Sequence, residues 1–301
     1  MPELPEVETI VKGLEGVLPG LKIRDVWTDR EKYVQHPKSF SEFKKKVAGR
    51  KILSVERKGK NVLIHLSENA TLLVHQKMTG HLLYGKWKRE KDGTEWKSAI
   101  PGPLRDDPEN RFIHLLFFLS NGFQLALCDM RKFAKVLLWR TDKLEELKDI
   151  KELGPDPFDK DFNLGEFKKR LRGKRAIKQV LMDPKTIAGI GNIYADEMLW
   201  VAGVHPARKV DELSATEIKK IYSATRPVLR RAIKAKGSSY IDYRDAFGEK
   251  GRYQKMHYAY QMTGTKCQKK DGGVIEKIKI GQRSAHFCPV HQKARREKGG
   301  N

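Results

Sequence analysis

Hydrophobic periodicity switches once along this chain, and that switch divides it into two halves built on different principles. Up to about residue 140 the apolar residues fall in strand-length runs: Lys51 to Arg57, Val62 to Leu66, Thr71 to His75, Phe112 to Leu119, Phe123 to Leu127 and Phe133 to Leu138. Turns such as Ser120-Asn121-Gly122 separate several of them. Two helices flank the runs. Pro5-Glu6-Val7-Glu8 opens the first, with Val7, Ile10, Val11 and Leu14 on one face; Ser39 and Glu42 have capping-box spacing for the second, which Gly49 stops. This half reads as an antiparallel β-sandwich or barrel. Beyond Leu153-Gly154-Pro155-Asp156-Pro157 helical spacing takes over: a start at Asp161 or Asn163, then Ala176 to Met182, Asn192 to Val201, and a long basic helix behind Ser214 and Glu217. Pro227 should kink or interrupt that last helix. After Gly237 a Gly-, Ser- and Tyr-rich stretch leads to a hairpin-like end carrying Ile275, Ile278 and Ile280. The class is therefore α+β. Expected divisions are a sandwich over 1–140, a linker over 141–160, a helical domain over 161–258, a hairpin over 259–293 and a basic, disordered tail over 294–301. Gly85 to Asn110 is charged and Pro/Gly-punctuated, and reads as a surface insertion.

Charge narrows the partners. The chain has 301 residues, and 61 Lys and Arg against 38 Asp and Glu leave a net charge of +23. Such an excess points to a polyanion, with nucleic acid first. The longest purely apolar stretch, Leu115-Leu116-Phe117-Phe118-Leu119, is too short to span a bilayer, so a membrane partner is not expected. The acidic, proline-punctuated start lacks the pattern of a secretory signal, and three cysteines make no disulfide framework; a monomer in a reducing cytoplasm is expected. Cys128 reads as a buried strand residue.

Two segments carry chemistry of their own. Loss of Met1 would leave Pro2 as a secondary amine beside Glu3, a nucleophile whose reference pKa of about 7.7 to 8.0 keeps part of it unprotonated near neutrality. A secondary amine that attacks a sugar's anomeric carbon carries the sugar as an iminium once the base has left, which favours strand elimination. Farther on, Gly189-Ile190-Gly191-Asn192 forms a glycine-rich turn into a helix whose free N–H groups can take a phosphate. An ordinary helix start and an ordinary helix–helix turn are the plainer readings of these two segments.

Five blocks in order, Pro2 to Glu8, Lys58-Gly59-Lys60, His75 to Gly80, Asp129 to Phe133 and Gly189 to Glu197, closely resemble the formamidopyrimidine-DNA glycosylase (Fpg/Nei) family over nearly the whole chain. The resemblance implies an N-terminal β-sandwich, a helix-two-turn-helix module and a zinc-finger hairpin, with damaged double-stranded DNA as partner. It further implies a bifunctional glycosylase/AP lyase that removes oxidised purines such as 8-oxoguanine and formamidopyrimidines and cuts by β,δ-elimination. Pro2 would be the nucleophile, Glu3 its acid/base partner, and Lys60 a catalytic support on the lesion phosphate. His75, Asn192 and Arg283 would hold backbone phosphates, while Met78, Arg131 and Phe133 would fill the gap left by the extruded base. Lesion choice would lie in a loop near Ser238, Ser239 and Tyr240. Two departures stand out. Lys132 follows Arg131 where the family often has Arg, and the four-cysteine finger is reduced to Cys267, Cys288 and His291, with Asp271 or His286 as the fourth zinc ligand or a hairpin folded without metal as the alternative. A lesion-binding protein without turnover and an endonuclease VIII-like preference for oxidised pyrimidines are the competing functions.

Overall fold

The computed structural model describes residues 1–90, 95–240 and 242–294, so most of the expected basic tail lies outside the described residues. By its contacts the chain forms two compact units, one of Met1–Lys151 with Ile233–Gln254, the other of Glu152–Ala232 with Lys255–Asn301.

The first unit opens with helix α1 (Leu4–Glu15), whose buried residues Leu4, Val7, Ile10, Val11 and Leu14 recur at helical spacing. Strands β1 (Ile23–Thr28) and β2 (Val34–His36) precede α2 (Phe40–Val47), where the Ser39 hydroxyl accepts from Glu42 N–H as its spacing predicts. Then come β3 (Ile52–Lys58), β4 (Asn61–Leu66), β5 (Ala70–His75), β6 (His81–Gly85), β7 (Trp87–Arg89), β8 (Trp96–Ser98), α3 (Pro103–Asp106), β9 (Ile113–Leu119), β10 (Gln124–Cys128), β11 (Lys135–Arg140) and α4 (Lys148–Lys151). A four-stranded sheet of order β1-β9-β10-β6 and a five-stranded sheet of order β2-β11-β5-β4-β3 make a sandwich, antiparallel except where β2 runs parallel to β11. Alternation along the strands assigns the faces. In β9, Leu115, Phe117 and Leu119 join Val62, Ile64, Leu72 and Val74 of the other sheet in the main core, whereas Leu116 points to a second cluster with Leu83, Trp87, Leu104, Ala126 and Cys128. That second cluster corrects the reading of Gly85 to Asn110 as mere surface. Its described residues bury Trp87 and Leu104 on the outer face of the four-stranded sheet. Cys128 is buried there as expected.

The second unit has α5 (Leu164–Arg170), capped by Asn163, then α6 (Ile177–Leu181), α7 (Asn192–Ala202) and α8 (Ala215–Lys234). Ser214 and Glu217 make the reciprocal capping bonds that their spacing predicts. Helix α8 runs through Pro227 without a break, because its buried stripe of Ile221, Ala224, Val228, Leu229 and Ala232 packs on both sides of the proline. The unit ends in the hairpin of β12 (Glu276–Ile280) and β13 (Arg283–Phe287), turning at Gly281 with φ +58°.

Candidate active site and metal centre

At the start of α1, Pro2 and Glu3 are buried. Glu3 N–H donates to Glu6 Oε2 at 2.9 Å, and the other oxygen of the same carboxylate accepts from Ser238 N–H at 2.7 Å. Glu6 thus ties the N-terminal turn to the loop after α8. Gly237, at φ +77°, is needed at this join, since a Cβ there would lie 2.8 Å from Glu6 Oε1. Ser239 donates its hydroxyl to Tyr243 C=O and accepts from Gly251 N–H, and Tyr243 O–H reaches Glu6 C=O. These bonds draw the arms of the loop together, and Tyr240 and Phe247, each 42% exposed, stand at its surface.

The β3–β4 turn carries Lys60, half-buried, and the sheet register aligns Asn61 with His75 and His75 with Lys135. Burial first, and then the positive charges of Lys77, Lys135 and Lys60, push the His75 ring down to about 3. It is neutral at pH 7. Lys77 N–H donates to its Nδ1 at 3.0 Å, which places the ring proton on Nε2 and makes the ring a neutral donor.

Asp129, fully buried, joins two loops. Its carboxylate accepts from the Thr79 hydroxyl, from Ala134 N–H at 2.8 Å and from Tyr33 O–H at 3.4 Å, while Thr79 Oγ1 accepts from Arg131 N–H at 3.0 Å. These bonds tie the turn that follows Met78 to the loop of Arg131 and Phe133, where the Arg131 guanidinium lies 4.9 Å from the Phe133 ring centroid. Phe133 is 53% exposed, which is unusual for a large aromatic held on so ordered a loop. Lys132 occupies the left-handed region at φ +58° between them. Asp129, Thr79 and Glu6 hold these loops, and no local pattern in the sequence marks them for that task.

In the second unit, Asn192 opens α7 after Gly191, and its Oδ1 finds no hydrogen-bond partner among the described residues. Arg283 stands exposed at the hairpin turn, beside a cavity of about 250 Å³ that Arg175, Gln179 and Met182 also line. Beneath it, Lys178 Nζ donates to Asp196 Oδ1 at 2.6 Å and to Ser284 C=O, and Asp196 Oδ2 accepts from His286 N–H and faces its Nδ1 at 2.9 Å. His286 is therefore committed to Asp196. The other fourth-ligand candidate fits: one ligand atom from each of Cys267, Asp271, Cys288 and His291 lies within 4.8 Å of the rest, a group that could hold a metal ion. His291 Nε2 faces Trp200 C=O at 3.3 Å, leaving Nδ1 for the cluster. Burial works against the Asp271 charge, but Gly273 N–H and His291 hold its carboxyl down at about 2. Gly273 leaves no room for a side chain, since a Cβ would sit 2.3 Å from Cys288 Sγ.

A β-sandwich followed by a helix-two-turn-helix module and a terminal hairpin defines a class of DNA glycosylases, and the family models match accordingly: the formamidopyrimidine-DNA glycosylase N-terminal domain over residues 1–136 and the formamidopyrimidine-DNA glycosylase H2TH domain over residues 153–243. Formamidopyrimidine-DNA glycosylase of Pelotomaculum thermopropionicum is 42% identical over 98% of this chain and 100% of its own, and that of Bacillus subtilis 35% identical over 96% and 98%. The structure of Lactococcus lactis Fpg with DNA containing an abasic site is similar at a TM-score of 0.83 and 32% identity, covering 97% of this chain and 99% of that one. The chain belongs to the formamidopyrimidine-DNA glycosylase family, and AP lyase activity is typical of that family. No described helix is long and apolar enough to cross a membrane.

Proposed function

We propose that the protein excises oxidised purines from double-stranded DNA and then cuts the strand at the same site, in the cytoplasm and as a monomer. The observation that carries this reading is the Glu6 carboxylate, which holds the Glu3 amide on one oxygen and the Ser238 amide on the other, so that the nucleophile's neighbour and the lesion-reading loop share one anchor. After Met1 is removed, the Pro2 nitrogen attacks the anomeric carbon as the bond to the base breaks, and the proton the amine gives up leaves with the base. Glu3 passes a proton to the ring oxygen as the sugar opens and the nitrogen lone pair forms the iminium, which acidifies the adjacent sugar hydrogens; their loss expels the phosphates on the two sides of the sugar in two successive eliminations.

Lys60 and the Nε2 proton of neutral His75 hold backbone phosphates, with Asn192 and Arg283 doing so from the second unit. Met78 and Arg131 occupy the gap beside the extruded nucleotide and Phe133 wedges against the orphaned partner base, recovering part of the few kcal/mol that unstacking costs. The Ser238 to Tyr240 loop reads the lesion.

Zinc is the metal we propose for Cys267, Asp271, Cys288 and His291. The donor set of two thiolates, an imidazole and a carboxylate suits a closed four-coordinate zinc site. Bound there, zinc would brace the hairpin that presents Arg283. The test is a duplex series: 8-oxoguanine and formamidopyrimidine strands should be cut faster than thymine glycol strands, and equal or reversed rates would contradict the purine preference.

A further inference from the structure

The end of the Gly85 to Asn110 segment grips the loop after α8. Arg244 lies across Asp107 in a two-bonded fork, Nε to Oδ2 and Nη2 to Oδ1 both at 2.8 Å, with side chains only 3% and 12% exposed. Three residues on, Asn110 Nδ2 donates to Gly248 C=O at 3.2 Å, while its Oδ1 faces His81 Nε2 at 3.1 Å. Gly248, at φ +84°, has no space for a side chain: a Cβ would come within 2.7 Å of that same Asn110 amide. Tyr84 N–H of β6 adds a bond to Ala246 C=O at 2.7 Å. So both arms of the loop are held. Glu6 holds its leading arm at Ser238, and the Asp107–Asn110 turn holds its returning arm at Arg244 and Gly248.

A buried ion pair adds little net stability once desolvation is counted, but a forked guanidinium–carboxylate pair fixes distance and angle closely. Asp107 is itself aimed, since its Oδ1 accepts from Glu109 N–H at 3.0 Å. Arg244 Nη1 also donates to Tyr243 C=O, and the Tyr243 hydroxyl reaches Glu6 C=O. A continuous set of bonds therefore runs from the insertion through the loop to the turn that carries Glu3. We propose that the Pro103 to Arg111 segment is a brace for this loop, and that Asp107 and Arg244 are positioning residues that set how well the enzyme tells a damaged base from an empty site. The proposal rests on the reading of Ser238 to Tyr240 as the lesion reader.

Asp107→Asn keeps the volume and the acceptor for Glu109 N–H while removing the charge and one acceptor oxygen from the fork. Amide exchange over residues 242–253 should quicken about tenfold in this variant. Excision of 8-oxoguanine should fall about tenfold, the scale of a small misplacement at a reacting centre, while cleavage of a preformed abasic site, which has no base to read, should stay within about twofold. Arg244→Lys, which keeps charge but cannot fork, should reproduce the loss. Unchanged exchange, or equal falls on both substrates, would overturn the brace. Tyr240→Ala separates the two ideas: an excision-to-cleavage ratio that moves with Tyr240→Ala and not with Asp107→Asn defeats the brace alone, and a ratio that moves with neither defeats the loop reading and the brace with it.

Discussion

His75 shows how one residue's surroundings decide its chemistry. Its ring takes up a proton near pH 3 in the folded chain and near about 6.5 when unfolded. Between those values the unfolded state binds more protons, so the residue's contribution to stability is complete above about pH 6.5 and is lost as pH falls toward 3. In His75→Gln, the gain in melting temperature from pH 4 to pH 7 should be smaller than in the parent; an identical gain would contradict the burial argument. Affinity for abasic-site DNA should also show no inflection near pH 6.5 attributable to His75, because the ring stays neutral through that range. Phe133 gives the opposite case, a ring whose value lies outside the fold. Phe133→Ala should leave urea stability within about 0.5 kcal/mol and weaken lesion-DNA binding about tenfold, the scale of one base–aromatic stack. A fall in stability with binding unchanged would make the ring structural.

At the scale of elements, the hairpin is locked to α6 and α7 by a buried charge cluster. Lys178→Met would leave the fully buried Asp196 without its cation and should cost about 3–5 kcal/mol, with Lys178→Met/Asp196→Asn recovering part of it; urea denaturation of the intact chain reads both. A single-variant loss below about 1 kcal/mol would mean that His286 alone suffices. Gly273→Ala should reduce bound zinc in elemental analysis, because the added methyl meets Cys288 Sγ; full occupancy would place the metal elsewhere. Much of the element plan was legible in the sequence. The runs from Val62 to Leu66 and Thr71 to His75 are strands, and Ser39, Asn163 and Ser214 cap the helices that their spacing predicts. Other parts were hidden for physical reasons. Ile23–Thr28 mixes charge with apolar residues because it is an edge strand, and His81–Gly85 is buried throughout, so neither shows a clean alternation. The loop after α8 follows the helices in sequence, yet its amides bond to Glu6, and no local pattern announces a contact 232 residues away.

At the scale of the molecule, the net charge of +23 favours non-specific attraction to a polyanion. Binding to undamaged duplex should weaken about 1,000-fold between 50 and 200 mM salt if six or more phosphates are engaged. The ratio of lesion to undamaged affinity should change far less, and fluorescence anisotropy over that range reads both quantities; a ratio that collapses with salt would make lesion recognition electrostatic. The proposed mechanism turns on one bond, between the Pro2 nitrogen and a sugar carbon. Borohydride added during turnover of an 8-oxoguanine duplex, followed by intact-mass analysis, tests that bond directly. A covalent adduct on chain lacking Met1, mapped to Pro2 and absent from Pro2→Gly, is the predicted result; an adduct that maps to a lysine, or none while the strand is still cut, would contradict it.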